Sequence, residues 1–258
     1  LGLDPDKDFQ VPASVLDYTR GFQDAHRAIR NDWDARYLLW RNKHPERAAL
    51  LDRLTSGELP DGLDQALPTF DTGDSISTRA ASGKAINALA SLLPELWGGS
   101  ADLAGSNDTT ITGGLSFLPA GSGAVDSSPY GRILHFGVRE HAMGAILNGI
   151  NIGGLTRAFG GTFLVFSDYM RGSVRLAALM NIPSTYVWSH DSIGLGEDGP
   201  THQPVEHLWS LRLIPQFSVL RPADARETAA AWLAILRQSG AVGLILSRQG
   251  LPVLHGTE

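Results

Sequence analysis

The sequence predicts an α/β fold: a three-layer α/β/α domain on a mostly parallel six-stranded sheet, preceded by a helical linker segment. Two observations after Ser77 predict the sheet domain. Short apolar runs alternate with segments of helical periodicity, and the runs themselves lack the in-out alternation of half-exposed strands, as expected when both faces of a parallel sheet are covered. One observation before that point predicts the extension. Residues 1–74 are charge-rich and helical in spacing and end in a stretch rich in proline and glycine, so the sheet domain is expected to occupy 75–258.

Taken in order, the apolar residues from Val15 to Trp40 recur loosely at helical period. HPERAALLDRLTSG then offers Pro45 at a first helical position and Gly57 just past the end. ELPDGLDQALPTFDTGDS reads as a linker, because its prolines and glycines interrupt any period. RAASGKAINALASLL is helical, and LWGGSAD and RILHF are strands. REHAMGAILNGI is a helix with Ala142, Met143, Ile146, Leu147 and Ile150 at spacings of one, three and four. LTRAFGG precedes the helical SDYMRGSVRLAALMN, STYVWSH precedes a long loop and VEHLWSLRLI, and FSVLRP precedes ADARETAAAWLAILRQ. In that last helix Asp224 and Glu227 have capping-box spacing. AVGLILSR closes the series.

Composition narrows the function. At 258 residues and 43% hydrophobic content the chain can bury a sizeable core. A formal charge of -6 argues against nucleic acid or an anionic membrane as partner, since neither polyanion is drawn to such a surface. Cysteine is absent, which excludes disulfides and thiolate metal sites and fits a reducing, cytoplasmic setting. No run approaches the roughly 20 apolar residues of a membrane span. The first residue is Leu1, which raises the expectation of a piece excised from something longer.

In open α/β sheets ligands bind beyond the carboxyl ends of the strands. That rule selects SADLAGSN, GVRE, GGTFLVFSDY, SHDSIGLGEDGPTHQP, RPAD and SRQ. Glu140 stands in the first turn of its helix, where two readings are open. It interacts with the helix dipole and with Arg139, or it shares a proton with a nitrogen heterocycle. The loop from His190 to His207 gathers three histidines with acidic residues and glycines. Metal binding there is disfavoured, because a Gly-Pro break separates Asp198 from His202 and no recognised ligand spacing occurs. Phe163, Phe166 and Tyr169, three apart, suit either a core or an aromatic ligand pocket. Arg79, Arg248 and Ser106 could clamp a phosphate or serve as ordinary surface and packing residues.

With these residues in view, the chain resembles the central, pyrimidine-binding part of the transketolases, which use thiamine diphosphate. STRAASGKAIN, GSADLAGSN, HFGVREHAMG, GGTFLVFSDY, SHDSIGLGEDGPTHQPVEHL, RPAD with a following ET, and LSRQGLP carry the likeness, in family order over roughly residues 75–252. LGLDPDKDFQVPASV is similar to the linker that follows the family's amino-terminal domain.

The resemblance implies transfer of a two-carbon ketol unit between sugar phosphates in the pentose phosphate pathway. It implies that Glu140 hydrogen-bonds the cofactor's aminopyrimidine ring and so promotes loss of the thiazolium proton. Phe163, Phe166 and Tyr169 would surround the pyrimidine, and Asp102 would lie near the thiazolium. His190, Asp198 and His202 would hold sugar hydroxyls and assist proton transfer, while Arg79, Ser106, His190 and Arg248 would grip a phosphate. One departure is Ala104-Gly105, where many relatives have Thr-Pro. The family's magnesium-anchoring Gly-Asp-Gly signature is absent, as is a carboxy-terminal domain, so the magnesium would be bound by a missing domain. The chain alone is therefore expected to be inactive, and the working site to form as a homodimer through the active-site face. Dihydroxyacetone synthase, deoxyxylulose-phosphate synthase and a non-catalytic dimerisation module remain as rivals.

Overall fold

The computed structural model describes residues 2–257. They divide into two compact units, one ending at Asp52 and the other beginning at Arg53. The first is dominated by α1 (Ala13–Lys43), which buries none of its residues. Its stiffening is local: Tyr37 stacks between Trp33 and Trp40 at centroid distances of 4.9 and 5.8 Å, and Arg41 grips Asp52 through two bonds of 2.6 and 2.7 Å. α2 (Pro45–Ser56) starts at the expected proline, and Gly57 follows it at φ 73°, the left-handed conformation in which glycine terminates helices.

In the second unit the main sheet contains eight strands, not six. They are β2 (Leu96–Ser100), β3 (Ser116–Phe117), β4 (Ser127–Ser128), β5 (Ile133–His135), β6 (Arg157–Phe163), β7 (Thr185–Ser189), β8 (Ser218–Leu220) and β9 (Val242–Ile245), in the order β4-β3-β5-β2-β6-β7-β9-β8. Every neighbouring pair is parallel. The two extra strands, β3 and β4, hold two residues each and lie in a glycine-rich stretch, too short to print any period on the sequence. A separate antiparallel pair joins β1 (Ser75–Ile76) to β10 (Leu251–Pro252).

The layers follow from alternation inside β7. Tyr186 and Trp188 enter one core with Met143 and Leu147 of α6 (Glu140–Ile152), Val174 and Ala177 of α7 (Arg171–Leu179) and Leu211 of α8 (His207–Arg212). Val187, between them, enters the other core with Ile86 and Leu89 of α4 (Thr78–Leu92) and Trp232 and Leu236 of α9 (Ala225–Arg237). Each such side chain contributes about 1.5–3 kcal/mol when fully removed from water. Trp232 Nε1 donates to Ser82 Oγ at 2.9 Å, so the buried indole is not left unpaired. The cap of α9 forms as the spacing suggests: Asp224 accepts from Glu227 N–H at 3.0 Å, and the Glu227 carboxylate reaches back to Ala223 N–H at 2.7 Å.

Two expectations change in detail. The stretch 58–75, read as linker, carries the one-turn helix α3 (Leu63–Ala66) and buries Leu63 and Phe70 in the core. The helix expected from Ser167 begins at Arg171, and Leu164–Met170 is instead a 3₁₀ helix.

Candidate functional site

Sheet order decides where a ligand can enter. β2 has β5 on one side and β6 on the other, so the chain leaves β2 in one direction and returns past it in the opposite one. Such a reversal opens a crevice at the carboxyl ends of the strands. A cavity of about 560 Å³ lies there. Ala101, Asp102 and Leu103 line it after β2, Val138 and Glu140 after β5, Phe163, Phe166 and Tyr169 at the end of β6, and His202 from the loop after β7.

Glu140 is delivered to this wall by a sharp strand exit. Gly137 takes φ 65°, a conformation that a side chain would strain, and α6 starts three residues later. Arg139 does not pair with the carboxylate; its Nη1 donates to Phe136 O at 3.0 Å. Glu140 is only 8% exposed, and among the described residues no donor bonds its side-chain oxygens. Its carboxylate is therefore free to bond a group that enters the cavity.

The aromatic wall owes its alignment to the 3₁₀ turn. With three residues per turn, side chains three apart eclipse one another. Phe163 and Phe166 accordingly stack at 5.7 Å and 10°, and Phe166 and Tyr169 at 6.0 Å and 22°. His202 meets Phe166 edge-on at 5.3 Å, presented by a short turn, Pro200–His202, that Gly199 opens at φ 80°. This combination suits a flat heteroaromatic ring whose nitrogen comes within hydrogen-bonding reach of Glu140.

His190 joins this cavity to a second, charged group. It follows β7, is 2% exposed, and takes φ 61°. Burial, reinforced by the Arg79 charge, lowers its pKa to about 4; Asp198 opposes the shift, and Arg248 and His202 add to it. Arg79 Nη1 donates to Ser106 O at 2.5 Å, Arg248 Nη2 to Glu197 Oε1 at 3.1 Å, and His190 Nε2 lies 3.8 Å from Asp198 Oδ2. The site residues selected from sequence thus fall into two groups. Asp102, Glu140, Phe163, Phe166, Tyr169 and His202 line the cavity; Arg79, Ser106, Asp198 and Arg248 do not, and gather toward His190. At Gly105 a side chain would meet nothing within 4 Å, so the Ala104-Gly105 pair answers no steric demand. The walls at Leu103 and Val138 were not singled out from sequence, because lone apolar residues carry no chemical signature.

Among the described residues, possible metal-ligating atoms cluster at Asp168, Glu206 and His207. There His207 Nε2 lies 3.0 Å from Asp168 and Nδ1 3.8 Å from Glu206, so the carboxylates flank different nitrogens of one ring. These residues do not line the cavity.

Two family models match the chain: the transketolase pyrimidine-binding domain over residues 74–253 and the transketolase thiamine diphosphate-binding domain over residues 1–60. A transketolase of Mycobacterium tuberculosis is 60% identical over the whole of this chain, which spans 38% of that relative. One from Geobacillus stearothermophilus is 50% identical over 97% of the chain and 37% of the relative. The structure of a Pichia stipitis transketolase in complex with sedoheptulose 7-phosphate superposes with a TM-score of 0.93 at 43% identity, covering 100% of this chain and 38% of that one.

Proposed function

The chain belongs to the transketolase family, and on that premise we propose that residues 75–258 form the pyrimidine-holding half of a thiamine diphosphate site. The enzyme of which the site is part transfers a two-carbon ketol unit between sugar phosphates of the pentose phosphate pathway. The single observation that carries this reading is the unpaired, nearly buried Glu140 carboxylate in an aromatic-walled cavity.

Thiamine diphosphate, when bound, supplies an acidic thiazolium carbon and an electron sink for the transferred fragment. Glu140 holds a proton at its side-chain oxygen in common with a ring nitrogen, and the low-polarity walls keep water from competing for it. Phe163, Phe166 and Tyr169 orient the ring by stacking, each contact contributing about 1 kcal/mol beyond burial. Asp102, exposed at the mouth, faces the thiazolium side. His202 and His190 exchange protons with the sugar; Asp198 holds a hydroxyl; Arg79, Arg248 and Ser106 take the phosphate, the arginines through their planar forks. Magnesium and the diphosphate are held by another domain, and a homodimer formed through the active-site face completes the site. The bare surface of α1, with exposed Tyr18, Leu38 and Leu39, supports a further protein surface packing there. No helix among the described residues is long and apolar enough to cross a membrane, and a cytoplasmic setting suits an enzyme of free sugar phosphates.

Glu140→Gln and Glu140→Ala in the full-length enzyme test the reading, with xylulose 5-phosphate as donor and ribose 5-phosphate as acceptor. The expected loss of turnover is about 10²–10⁴-fold, the usual contribution of a positioned proton-transfer group. Unchanged turnover would leave only a dimerisation module. Formaldehyde as the preferred acceptor would point instead to dihydroxyacetone synthase.

A further inference from the structure

Behind the cavity a buried line of polar side chains runs across the sheet: Ser100 at the end of β2, Asn107 at the end of α5 (Ala104–Asn107), and Ser189 at the end of β7. All three are at most 3% exposed, and the line ends at His190. The hydrogen bonds can be given a direction. Leu103 N–H donates to Ser100 Oγ at 3.1 Å, and that hydroxyl donates to Gly161 O at 2.8 Å. Its one proton is then spent, so Asn107 must meet Ser100 as a donor, through Nδ2 at 3.0 Å. The amide orientation follows. Asn107 Oδ1 faces Ser189 and accepts its hydroxyl proton at 2.5 Å. Ser189 Oγ, 2.9 Å from His190 Nδ1, is left able only to accept.

We propose that Ser100, Asn107 and Ser189 are positioning residues that lock His190 as the Nδ1–H tautomer, so that Nε2 faces the ligand without a proton. A docking group must then bring its own proton, as a hydroxyl or a monoanionic phosphate does. A phosphate dianion docks only by taking one proton from solvent onto Nε2. This consequence rests on the sugar-phosphate reading of the site; the tautomer does not. The charged and titratable groups around the ring are Arg79 from α4, Arg248 beyond β9, and Asp198 and His202 from the loop after β7. The cations and the burial keep the free ring neutral, while Nε2 lies 3.8 Å from Asp198, beyond a hydrogen bond.

The test is nitrogen NMR on full-length protein labelled with [15N]histidine, with the His190→Gln spectrum used to assign the resonance. At neutral pH without ligand, Nδ1 should be of the protonated type and Nε2 of the bare type. A protonated Nε2 overturns the proposal. Ser189→Ala should release the ring to the other tautomer, and Ser189→Thr, which keeps the hydroxyl, should retain the wild-type pattern. An unchanged tautomer in Ser189→Ala overturns the role of the line even where Nδ1 is protonated. A second arm titrates inorganic phosphate by calorimetry in buffers of different ionisation enthalpy near pH 9, where the free phosphate is almost wholly the dianion. Wild type should take up close to one proton per phosphate, and Ser189→Ala distinctly less. Binding without proton uptake in wild type removes the coupling. The spectra need no turnover, so a Glu140 variant that kept full activity would sink the functional reading and leave the tautomer assignment standing.

Discussion

The imidazole of His190 lies on the phenyl ring of Phe163, with centroids 3.6 Å apart and planes 23° apart. Phe163 therefore has two ring partners, His190 and Phe166, and it lines the cavity as well. The two groups of site residues meet through this pair.

Phe163→Ala should therefore cost both stability and ligand affinity, whereas Phe166→Ala should cost mainly affinity. Phe163 is 6% exposed, and truncating a buried phenylalanine costs about 3–5 kcal/mol. Phe166 is only half-buried, and its loss leaves little void. Urea unfolding beside thiamine diphosphate titration, each on both variants, separates the two effects. Equal destabilisation by both would contradict the packing described.

Acid should weaken the fold through His190. Its folded pKa, about 4, lies below the unfolded value of 6.5, so the unfolded chain binds the proton first. Stability contributed by the neutral, buried ring is whole above 6.5 and declines as pH falls toward 4, with a slope of at most about 1.4 kcal/mol per pH unit. His190→Gln should flatten that part of the stability–pH curve. Chemical denaturation at half-unit intervals from pH 7 to pH 4 reads the difference.

A third prediction concerns the opposite end of the sheet. Arg53 grips Glu95 through bonds of 2.7 and 3.0 Å, with the glutamate side chain 3% exposed. Arg157 stands nearby, its pKa lowered by burial and by the Arg53 charge and supported by Glu95. Glu95→Ala leaves both cations without their buried anion and should cost about 3–5 kcal/mol. Exchanging the pair for apolar residues strands only Arg157, which still donates to Leu236 O and Gly57 O, and should cost less. Thermal unfolding of Glu95→Ala against the double variant Arg53→Met, Glu95→Leu compares them.

Much of the sheet domain was legible because period and punctuation are local. The runs ending near Ser100, His135, Phe163, Ser189, Leu220 and Ile245 announce strands by apolar content, and the rule about strand ends turns each exit into a list of candidates. β3 and β4 were not legible. Two-residue strands are held by their neighbours' hydrogen bonds and leave no pattern of their own. Leu63 and Phe70 were hidden for a related reason: Pro60, Pro68 and the nearby glycines mark a break in helix without revealing that these two side chains are buried.

By itself the sequence determined the α/β layering, the caps at Asp224 and Gly57, and which side chains stand at the strand exits, since each depends on residues within a turn or two. Only tertiary structure decided that Glu140 is left without a donor, that Phe163, Phe166 and Tyr169 form a ladder, and that Asn107 turns its oxygen toward Ser189. Those outcomes depend on what lies across the sheet, 82 residues away in the case of Asn107 and Ser189. Burial removes water as an alternative partner there, so the orientation of a single amide is set by atoms that no local reading of the chain brings together.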